Sequence, residues 1–450
     1  MNELPQEFID SLGADPVFDG LPRVLADTAP CVSVRLNAAK GGCDFDGAEP
    51  VPWCADGVYL PERPAFTLDP ALHQGRYYVQ EASSMAHQAA VRQALALMDD
   101  AGPVRYLDAC AAPGGKTIGA MAELPEGSLV VANEYDPARA SVLAENLAKW
   151  GSPLDVAVTR GDAAAMARLE GFFDVIGADV PCSGEGMMRK DAAARAQWSP
   201  GLVVECAACQ RDIVDALWQA LRPGGFLIYS TCTFNRDENE LIISNLIERY
   251  GAEPCAIPAL DAVPGIVGAV GADLPAYRFL PGRIRGEGLF LALLRKPDSA
   301  RGRRSLPKGA NNFRRGPYNS LLRGEMLFET AADGTVSAVT AANSAAMSAV
   351  SRVARTITRG LTVGTLKGRD LVPSQALAMS LRLAPDAFAR VEVDHDTALE
   401  YLRRNAITLP DGTPRGHILL TRDAHPLGFV KNLGSRSNNL YPLQWRIRLG

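Results

Sequence analysis

The chain has 450 residues, of which 47% are hydrophobic and 22% are charged, and its formal net charge is -5. This composition excludes a largely disordered or fibrous protein, and the length predicts two to four domains. No apolar run approaches the roughly 20 residues that span a bilayer, and the first residues are acidic where a signal peptide is basic. We therefore expect a cytoplasmic protein with no membrane partner, and a monomer by default.

Residues 1–75 mix Pro and Gly turns with short apolar runs, which predicts a small mixed α/β domain. From Val104 onward, short apolar runs alternate with helical stretches, the pattern of βαβ units in a parallel sheet. The predicted strands are 104–109, 128–134, 154–159, 173–179, 226–231 and 289–294, and two of the predicted helices are 137–150 and 203–221. The fold class is therefore α/β, with a seven-stranded Rossmann-like core over residues 76–298.

The remainder of the chain differs in composition and charge. A basic stretch rich in Gly and Pro at 299–318 predicts a linker, followed by a small β-rich domain at 319–385 and a second β-rich module at 386–450. Residues 301–450 carry 22 basic and 11 acidic residues, whereas residues 1–300 carry 24 basic and 40 acidic residues. This asymmetry favours binding of a nucleic acid over a merely solvated basic surface, because clustered cations displace counterions from phosphates.

A turn of small residues follows the first strand of the core, with the sequence Asp108-Ala-Cys-Ala-Ala-Pro-Gly-Gly-Lys-Thr117. In a doubly wound sheet, such a turn lets the backbone approach a cofactor and presents amide groups of the following helix. The spacing matches neither GxGxxG nor a phosphate-binding loop. Both nucleotide-binding interpretations of this turn are therefore weakened.

Acidic residues stand at the ends of the next strands. Glu134 suits the two ribose hydroxyls of a cofactor, a feature that NAD would share, and Asp162 suits an adenine amino group. Asp179 ends the fourth strand. Each of these carboxylates singly fits a helix cap or a solvated turn equally well, but their order along the chain favours a cofactor site.

Two cysteine motifs decide the chemistry, Asp179-Val-Pro-Cys182-Ser-Gly184 and Ser230-Thr-Cys232-Thr233. They follow neighbouring strands of the predicted sheet, so both thiols are expected to face one crevice. A thiolate adds readily to carbon 6 of a pyrimidine, which turns carbon 5 into a nucleophile for the methyl group of S-adenosylmethionine. Asp179 is expected to stabilise charge on the base during this addition, and a second group must assist release of the thiol.

The other cysteines predict no further site. Nine cysteines are too dilute for a disulfide framework and odd in number, so we expect reduced thiols. Cys206 and Cys209 form a C-x-x-C pair without a second pair of ligands, which favours packing over zinc. We therefore predict no metal centre.

At this point the sequence resembles the RsmF-like bacterial rRNA cytosine-5 methyltransferases of the wider Sun family. The segments that carry the resemblance are Tyr78 to Ser84, Asp108 to Thr117, Asp179 to Gly186, Ser230 to Thr233, Pro426 to Lys431, and Asn439 to Pro442. The resemblance implies that S-adenosylmethionine is the cofactor, that small-subunit 16S rRNA or the 30S subunit is the partner, and that residues 386–450 are a PUA-like RNA-binding domain. It also implies an RNA-binding role for residues 1–75.

The resemblance further implies residue roles that the residues alone leave open. It makes Cys232 the nucleophile and Cys182 the residue that assists product release. The motifs alone do not show which of the two thiols has which role. It assigns the cofactor to Cys110, Ala111, Ala112, Pro113, Gly114, Gly115, Lys116, Glu134, Asp162 and Asp179.

Other functions remain open from the sequence. A tRNA or DNA cytosine-5 methyltransferase would use the same chemistry on another polymer. A catalytically silent rRNA-binding assembly factor would not need both thiol motifs, and an NAD-dependent oxidoreductase fits the turn less well. The residues 185–198 that follow Cys182 are expected to form a loop on the substrate side, and Lys190 there suits either a phosphate contact or a solvated surface.

Overall fold

The computed structural model describes residues 4–13, 15–100, 102–298 and 311–448. Within these ranges the strands form four sheets. None of the helices found there combines the length and the apolar content that a bilayer crossing requires. The predicted linker at 299–318 lies partly outside the described residues, which leave out 299–310.

The N-terminal region forms a four-stranded antiparallel sheet in the order β2-β3-β1-β4. Its last strand lies beyond residue 75, so the sheet extends past the predicted end of this domain. The elements of this region are α1 Gln6–Ser11, α2 Leu21–Asp27, β1 Val32–Leu36, β2 Glu49–Val51, β3 Cys54–Leu60, α3 Pro70–His73, β4 Tyr77–Val79 and α4 His87–Ala96.

The central region alternates strands and helices, as the sequence pattern predicts. Its elements are β5 Arg105–Asp108, α5 Gly115–Glu123, β6 Leu129–Glu134, α6 Pro137–Trp150, β7 Asp155–Arg160, β8 Phe173–Asp179, α7 Ala192–Gln197, α8 Pro200–Ala220, β9 Leu221–Thr231, α9 Glu240–Tyr250, β10 Glu253–Cys255, α10 Pro258–Asp261, β11 Ala276–Phe279 and β12 Leu289–Arg295.

These strands build one large sheet around a parallel centre. The strands β7, β6, β5, β8 and β9 are neighbours in that order and run parallel, while β12 pairs with β9 in the antiparallel sense. Every residue of β6 is buried, as expected of a parallel strand that is covered by helices on both faces. The predicted Rossmann-like fold class is confirmed.

The C-terminal region contributes two smaller sheets and one strand to the large one. Its elements are β13 Met326–Thr330, β14 Thr335–Thr340, α11 Ser344–Val353, β15 Arg355–Arg359, β16 Leu361–Lys367, β17 Asp370–Pro373, α12 Gln375–Met379, β18 Ala389–Glu392, α13 His395–Leu402, β19 Gly416–Arg422, β20 His425–Asn432 and β21 Ser437–Asn439. The two small sheets have the orders β13-β14-β16-β17 and β18-β19-β20-β21.

The large sheet has nine strands rather than the predicted seven. Six of them correspond to the predicted strand ranges, and the other three are β10 and β11, which both pair with β12, and β15, which pairs with β7. The strand β15 lies in the segment that the sequence predicts as a separate small β-rich domain. By pairing with β7 it satisfies backbone groups that an edge strand would expose. Asn343 strengthens this junction, since its Nδ2 donates to Asp155 Oδ2 at the start of β7 at 2.9 Å.

The last sheet packs against the N-terminal region. Gln74 Nε2 donates to the carbonyl oxygens of Arg422 at 2.9 Å and His425 at 3.0 Å. The buried ring of His73 lies against Tyr441, with 3.3 Å between His73 Nδ1 and the tyrosine hydroxyl. The two regions that are expected to contact RNA are thus joined directly.

Candidate active site

A cavity of about 420 Å³ opens at the carboxyl ends of the parallel strands, where an α/β sheet binds its ligands. Seven predicted cofactor residues and Cys232 line it. The full lining is Tyr78, Val79, Gln80, Glu81, Ser84, Asp108, Cys110, Ala111, Ala112, Pro113, Gly115, Lys116, Arg139, Asp179, Gly186, Met187, Lys190, Cys232, Glu287, Gly288 and Leu289.

The turn after β5 forms one wall of this cavity. Gly114 has a φ of 116° and precedes α5, a backbone conformation that favours glycine. A Cβ atom at Gly115 would lie 3.1 Å from the side chain of Gln80, so little room exists for a larger residue. The two glycines therefore leave space for a ligand beside the turn. Gly115 lines the cavity, whereas Gly114 sets the backbone conformation of the turn without lining the cavity.

Asp108 lies buried beneath the turn. The Thr117 hydroxyl donates a hydrogen bond to Asp108 Oδ2 at 2.6 Å. Burial raises the pKa of Asp108 to about 7, although the Thr117 hydrogen bond opposes this effect. Asp108 thus supports the turn from below and also reaches the cavity wall.

Glu134 is buried at the end of β6 and faces the same turn. Its Oε2 accepts from the Ala112 amide at 3.3 Å, and its Oε1 accepts from the Asp136 amide at 3.0 Å. Arg139 donates to the Ala112 carbonyl at 2.8 Å. These contacts hold Glu134 beside the cofactor turn, although Glu134 itself is not part of the cavity lining.

Asp162 lies outside the cavity lining. Its Oδ1 accepts from the Ala164 amide at 2.9 Å and so caps the short helix Ala163–Arg168. The predicted contact between Asp162 and an adenine ring stays a prediction.

The two predicted thiols lie next to each other. Because β8 and β9 are parallel neighbours with Asp179 opposite Ser230, the loops that follow them begin side by side. The sulfur atoms of Cys182 and Cys232 are 3.3 Å apart and share a hydrogen bond. Of the two, Cys232 lines the cavity.

The environments of the two thiols differ. The hydrogen bond to Cys232, together with burial, raises the pKa of Cys182 well above the ordinary value of a thiol. The protonated form of Cys182 is therefore favoured. The charge that an ionised Cys232 would carry is among the smaller causes that raise the pKa of Lys116, so the two side chains lie near each other.

Lys116 and Asp179 join the cofactor turn to the cysteine loop. Lys116 Nζ lies 2.8 Å from Asp179 Oδ2, and the Ser230 hydroxyl donates to Asp179 Oδ1 at 2.8 Å. Burial alone would lower the pKa of Lys116, but the ion pair with Asp179 outweighs it and the pKa is raised. A cation and a carboxylate are thus fixed beside Cys232.

Several lining residues have no predicted role. Gln80 and Glu81 belong to the segment Tyr78 to Ser84, which carries part of the family resemblance. That segment could therefore have placed both residues in the site from the sequence alone. Glu81 Oε1 accepts from the Glu287 amide at 2.9 Å, which ties β4 to the loop before β12. Lys190 is exposed at the rim, where both of its alternatives remain open.

The cavity has the features that an adenosyl ligand needs. It combines a glycine cradle at a helix N-terminus with small side chains along the wall. The buried carboxylate of Glu134, at the end of the second parallel strand, lies behind the cofactor turn and bonds to the Ala112 amide. In the part of the chain that the structure describes, no group of three or more His, Cys, Asp or Glu residues is arranged to hold a metal ion.

Comparison with protein families gives three matches that together span most of the chain. Residues 93–295 match the family described as 16S rRNA methyltransferase RsmB/F. Residues 388–447 match the methyltransferase RsmF PUA domain, and residues 4–82 match the N-terminal domain of 16S rRNA methyltransferase RsmF.

Curated relatives match over nearly the full length. The chain is 32% identical to a ribosomal RNA small subunit methyltransferase F of Klebsiella pneumoniae (strain 342), covering 87% of this chain and 83% of that protein. It is 33% identical to the protein of the same name from Serratia proteamaculans (strain 568), covering 91% and 89%. A third, from Shewanella amazonensis, is 31% identical and covers 98% and 96%.

Solved structures share the fold. A methyltransferase homologue from Pyrococcus horikoshii is 24% identical with a TM-score of 0.51, covering 65% of this chain and all of that one. NSun6 from the same organism is 18% identical with a TM-score of 0.52, covering 65% and 97%.

Proposed function

Because this chain belongs to the RsmB/F family of 16S rRNA methyltransferases, we propose that it forms 5-methylcytosine in small-subunit rRNA with Cys232 as its nucleophile. The enzyme is an rRNA methyltransferase that depends on S-adenosylmethionine. The observation that carries the proposed mechanism is the pair of sulfur atoms, 3.3 Å apart, with one of them in the cavity wall.

The geometry supports Cys232 rather than Cys182 as the attacking thiol. Cys232 lines the cavity and has the Lys116 ammonium nearby, and a neighbouring cation favours a thiolate. Cys182 is held as a thiol by its hydrogen bond to Cys232 and by burial. The ranking of the two thiols, which the motifs alone leave open, thus gains independent support.

Lys116 and Asp179 are placed to hold the cytosine. Asp179 keeps lone pairs beyond those used by Lys116 and Ser230 and can accept a hydrogen bond from the 4-amino group. Lys116 can donate to the ring acceptors, where negative charge develops when a nucleophile adds. The pair therefore orients the base and stabilises the adduct.

The chemistry divides into addition and elimination. The Cys232 sulfur forms a bond to carbon 6, and the displaced electron pair makes carbon 5 nucleophilic. Carbon 5 would then bond to the electrophilic methyl group that S-adenosylmethionine supplies when bound, as the bond between that methyl group and the donor sulfur breaks and its electrons stay on the sulfur. The carbon 5 proton then passes to water, the ring double bond re-forms, and the Cys232 sulfur leaves with the electrons of its bond to carbon 6.

Cys182 assists the last step because its thiol lies within hydrogen-bonding distance of the departing sulfur. Donation from the Cys182 thiol stabilises the Cys232 thiolate at 3.3 Å. We assign the cofactor to the cradle formed by Cys110, Ala111, Ala112, Pro113, Gly114, Gly115 and Lys116, with Glu134, Asp162 and Asp179 completing the proposed set.

The rest of the chain supports an RNA partner. The C-terminal match to a PUA domain and the net charge of residues 301–450 fit contact with phosphates. We further propose the assembled 30S subunit or its 16S rRNA as the acceptor, a monomeric enzyme, and a cytoplasmic location, where bacterial rRNA is modified.

The test is transfer from S-adenosylmethionine with a labelled methyl group to four acceptors: bacterial 16S rRNA, 30S subunits, tRNA and double-stranded DNA. The proposal predicts 5-methylcytosine at discrete positions of 16S rRNA, either free or in the subunit, and none with Cys232→Ala. Label confined to tRNA or DNA, or label in a base other than cytosine, would contradict it.

A further inference from the structure

Two fully buried carboxylates lie on the loops that carry the cysteines, one on each loop. Glu185 follows Cys182 by three residues, and Glu238 follows Cys232 by six. Both side chains have 0% exposure and neither belongs to the cavity lining. Buried carboxylates without a cation partner are uncommon, so their contacts need an explanation.

Glu185 reaches from the Cys182 loop to the Cys232 loop. Its Oε2 accepts from the Phe234 amide at 2.5 Å and from the Asn235 amide at 3.0 Å. Its Oε1 accepts from Trp198 Nε1 at 3.1 Å and from Asn235 Nδ2 at 2.9 Å. Three of these four donors belong to the loop of the other cysteine.

Glu238 makes the reverse connection. Its Oε2 accepts from the Ser183 amide at 2.9 Å and from Gln210 Nε2 at 2.8 Å. Its Oε1 accepts from the Ser183 hydroxyl and from Asn235 Nδ2 at 2.7 Å. Ser183 directly follows Cys182, so this carboxylate holds the backbone beside the sulfur.

The hydrogen bonds to Glu185 and Glu238 require that both oxygens of each side chain act as acceptors. Each carboxylate receives four donors, and an ionised carboxylate is an acceptor only. Glutamine has the same shape but carries an NH2 donor in place of one carboxylate oxygen. At least one of the four donors would then face another donor instead of an acceptor. A direct backbone bond, from the Gly186 amide to the Cys232 carbonyl at 2.7 Å, joins the same two loops.

The arrangement also makes the sulfur pair electrically asymmetric. The charge of Glu238 adds to the hydrogen bond and burial that raise the pKa of Cys182. Lys116 stands on the other side, near Cys232. The anion near Cys182 favours the protonated form of that thiol, which can donate a hydrogen bond to the Cys232 sulfur 3.3 Å away.

We propose that Glu185 and Glu238 form a reciprocal clamp, two positioning residues that hold the cysteine loops together and set the position of the Cys182 sulfur beside the Cys232 sulfur. This inference rests on the proposed function for its catalytic consequence, but the clamp itself acts on the free protein. Neither residue touches the cavity, so neither is a catalytic residue.

The first experiment needs no RNA. The full chain and its Glu238→Gln variant are alkylated with iodoacetamide over a range of pH, and peptide mass spectrometry follows Cys182 and Cys232 separately. The clamp predicts that Cys182 of the variant reacts at lower pH than in the wild type, because an anion near its sulfur is gone. Asp174 is a buried carboxylate at the opposite end of β8 that is ion-paired with Arg222, so Asp174→Asn is the control for a loss of buried charge far from the sulfurs and leaves the profile of Cys182 unchanged.

The second experiment measures positioning through the reaction. In a Cys182→Ala background, which accumulates the proposed RNA adduct, Glu185→Gln and Glu238→Gln are expected to slow adduct formation by roughly tenfold or more. Asp174→Asn leaves that rate within about twofold of the background. Asn235→Ala keeps both carboxylates but removes the donor that they share, together with the Oδ1 acceptor of the Glu238 amide. It supplies the same two readouts if a glutamine variant does not fold.

The outcomes separate the clamp from the proposed function. Parental adduct rates together with an unchanged Cys182 alkylation profile would overturn the clamp and leave the function standing. A shifted alkylation profile without any adduct in the Cys182→Ala background would support the clamp and overturn the proposed mechanism.

Discussion

Lys116 Nζ lies 2.8 Å from Asp179 Oδ2, so one ion pair joins the cofactor turn after β5 to the cysteine loop after β8. Both residues line the cavity, and Ser230 of the neighbouring strand fixes the other carboxylate oxygen. The pair therefore couples the place where the methyl donor is proposed to bind to the place where the base is proposed to react.

Removal of either partner of this pair should impair turnover more than cofactor affinity. We expect Lys116→Met and Asp179→Asn to lower kcat by about 100-fold, because each loses charge stabilisation of the ring adduct and leaves the other group without its partner. Steady-state methyl transfer to 16S rRNA and calorimetric titration with S-adenosylmethionine give the two quantities. Unchanged turnover in both variants would remove the pair from the mechanism.

Glu134 should contribute to cofactor affinity. We expect Glu134→Gln to weaken binding of S-adenosylmethionine by about tenfold, the effect of losing one hydrogen bond to a charged acceptor. Titration of the free protein measures it. Glu145→Gln, which removes a carboxylate paired with Lys149 on α6, is the control and should leave affinity unchanged. Equal affinity of the Glu134 variant and the wild type would exclude the proposed ribose contact.

Much of the central fold follows from local sequence pattern. The predicted strand at 173–179 and the helix at 137–150 match β8 and α6 residue for residue. Both were predictable because a continuous apolar run and a regular helical spacing can be recognised within a short stretch of sequence. The strand β15 was missed because its sequence, Arg-Thr-Ile-Thr-Arg, is half exposed and its partner β7 lies about 200 residues earlier. Pairing at such a distance is not encoded in any local pattern.

The site, like the fold, was predictable from the sequence only in part. Strand order alone brings Cys182 and Cys232 to one place, so motifs after neighbouring strands were sufficient to pair them. The carboxylates Glu185 and Glu238 gave no such signal, because their partners are backbone amides of another loop. For Asp162, the sequence left a cap and a ligand contact equally open, and the observed hydrogen bond to Ala164 is of the first kind.

The C-terminal basic surface should account for part of the salt dependence of RNA binding. Arg390, Arg415 and Arg436 are exposed on the last module. If each contacts a phosphate, replacing all three with Gln should reduce the slope of log K against log salt by about 2. Filter binding of 16S rRNA fragments at several salt concentrations measures the slope.

A matched pair of arginines elsewhere serves as control for this prediction. Arg23 and Arg249 are ion-paired with Asp27 and Asp215 and lie in the acidic part of the chain. Replacing them with Gln should leave the slope unchanged. A slope that responds equally to both sets of substitutions would show that the C-terminal module has no special share in RNA binding.

Acid should loosen the contact between the N-terminal region and the last module. Burial lowers the pKa of His73 to about 4, while its Nε2 donates to the Thr67 carbonyl and its Nδ1 faces Tyr441. Between pH 6.5 and 4 the unfolded chain binds a proton at this residue and the folded chain does not, so stability falls as the pH falls. His73→Gln should lose less stability over this window, by roughly 1–3 kcal/mol.

Chemical denaturation of the wild type and the His73→Gln variant at pH 7 and pH 4.5 measures this difference. Between pH 7 and pH 4.5, the unfolding free energy of the wild type should fall by roughly 1–3 kcal/mol more than that of the variant. Parallel changes in both proteins would assign the acid sensitivity to other groups.

The most direct test of the mechanism is the covalent state of the two cysteine variants with RNA. Full-length Cys182→Ala and Cys232→Ala are incubated with 16S rRNA and S-adenosylmethionine, and denaturing gels and mass spectrometry identify any bond between protein and RNA. Cys182→Ala should accumulate a methylated cytosine joined through Cys232, and Cys232→Ala should form neither adduct nor product. An adduct through Cys182, or product formation by Cys232→Ala, would contradict the account.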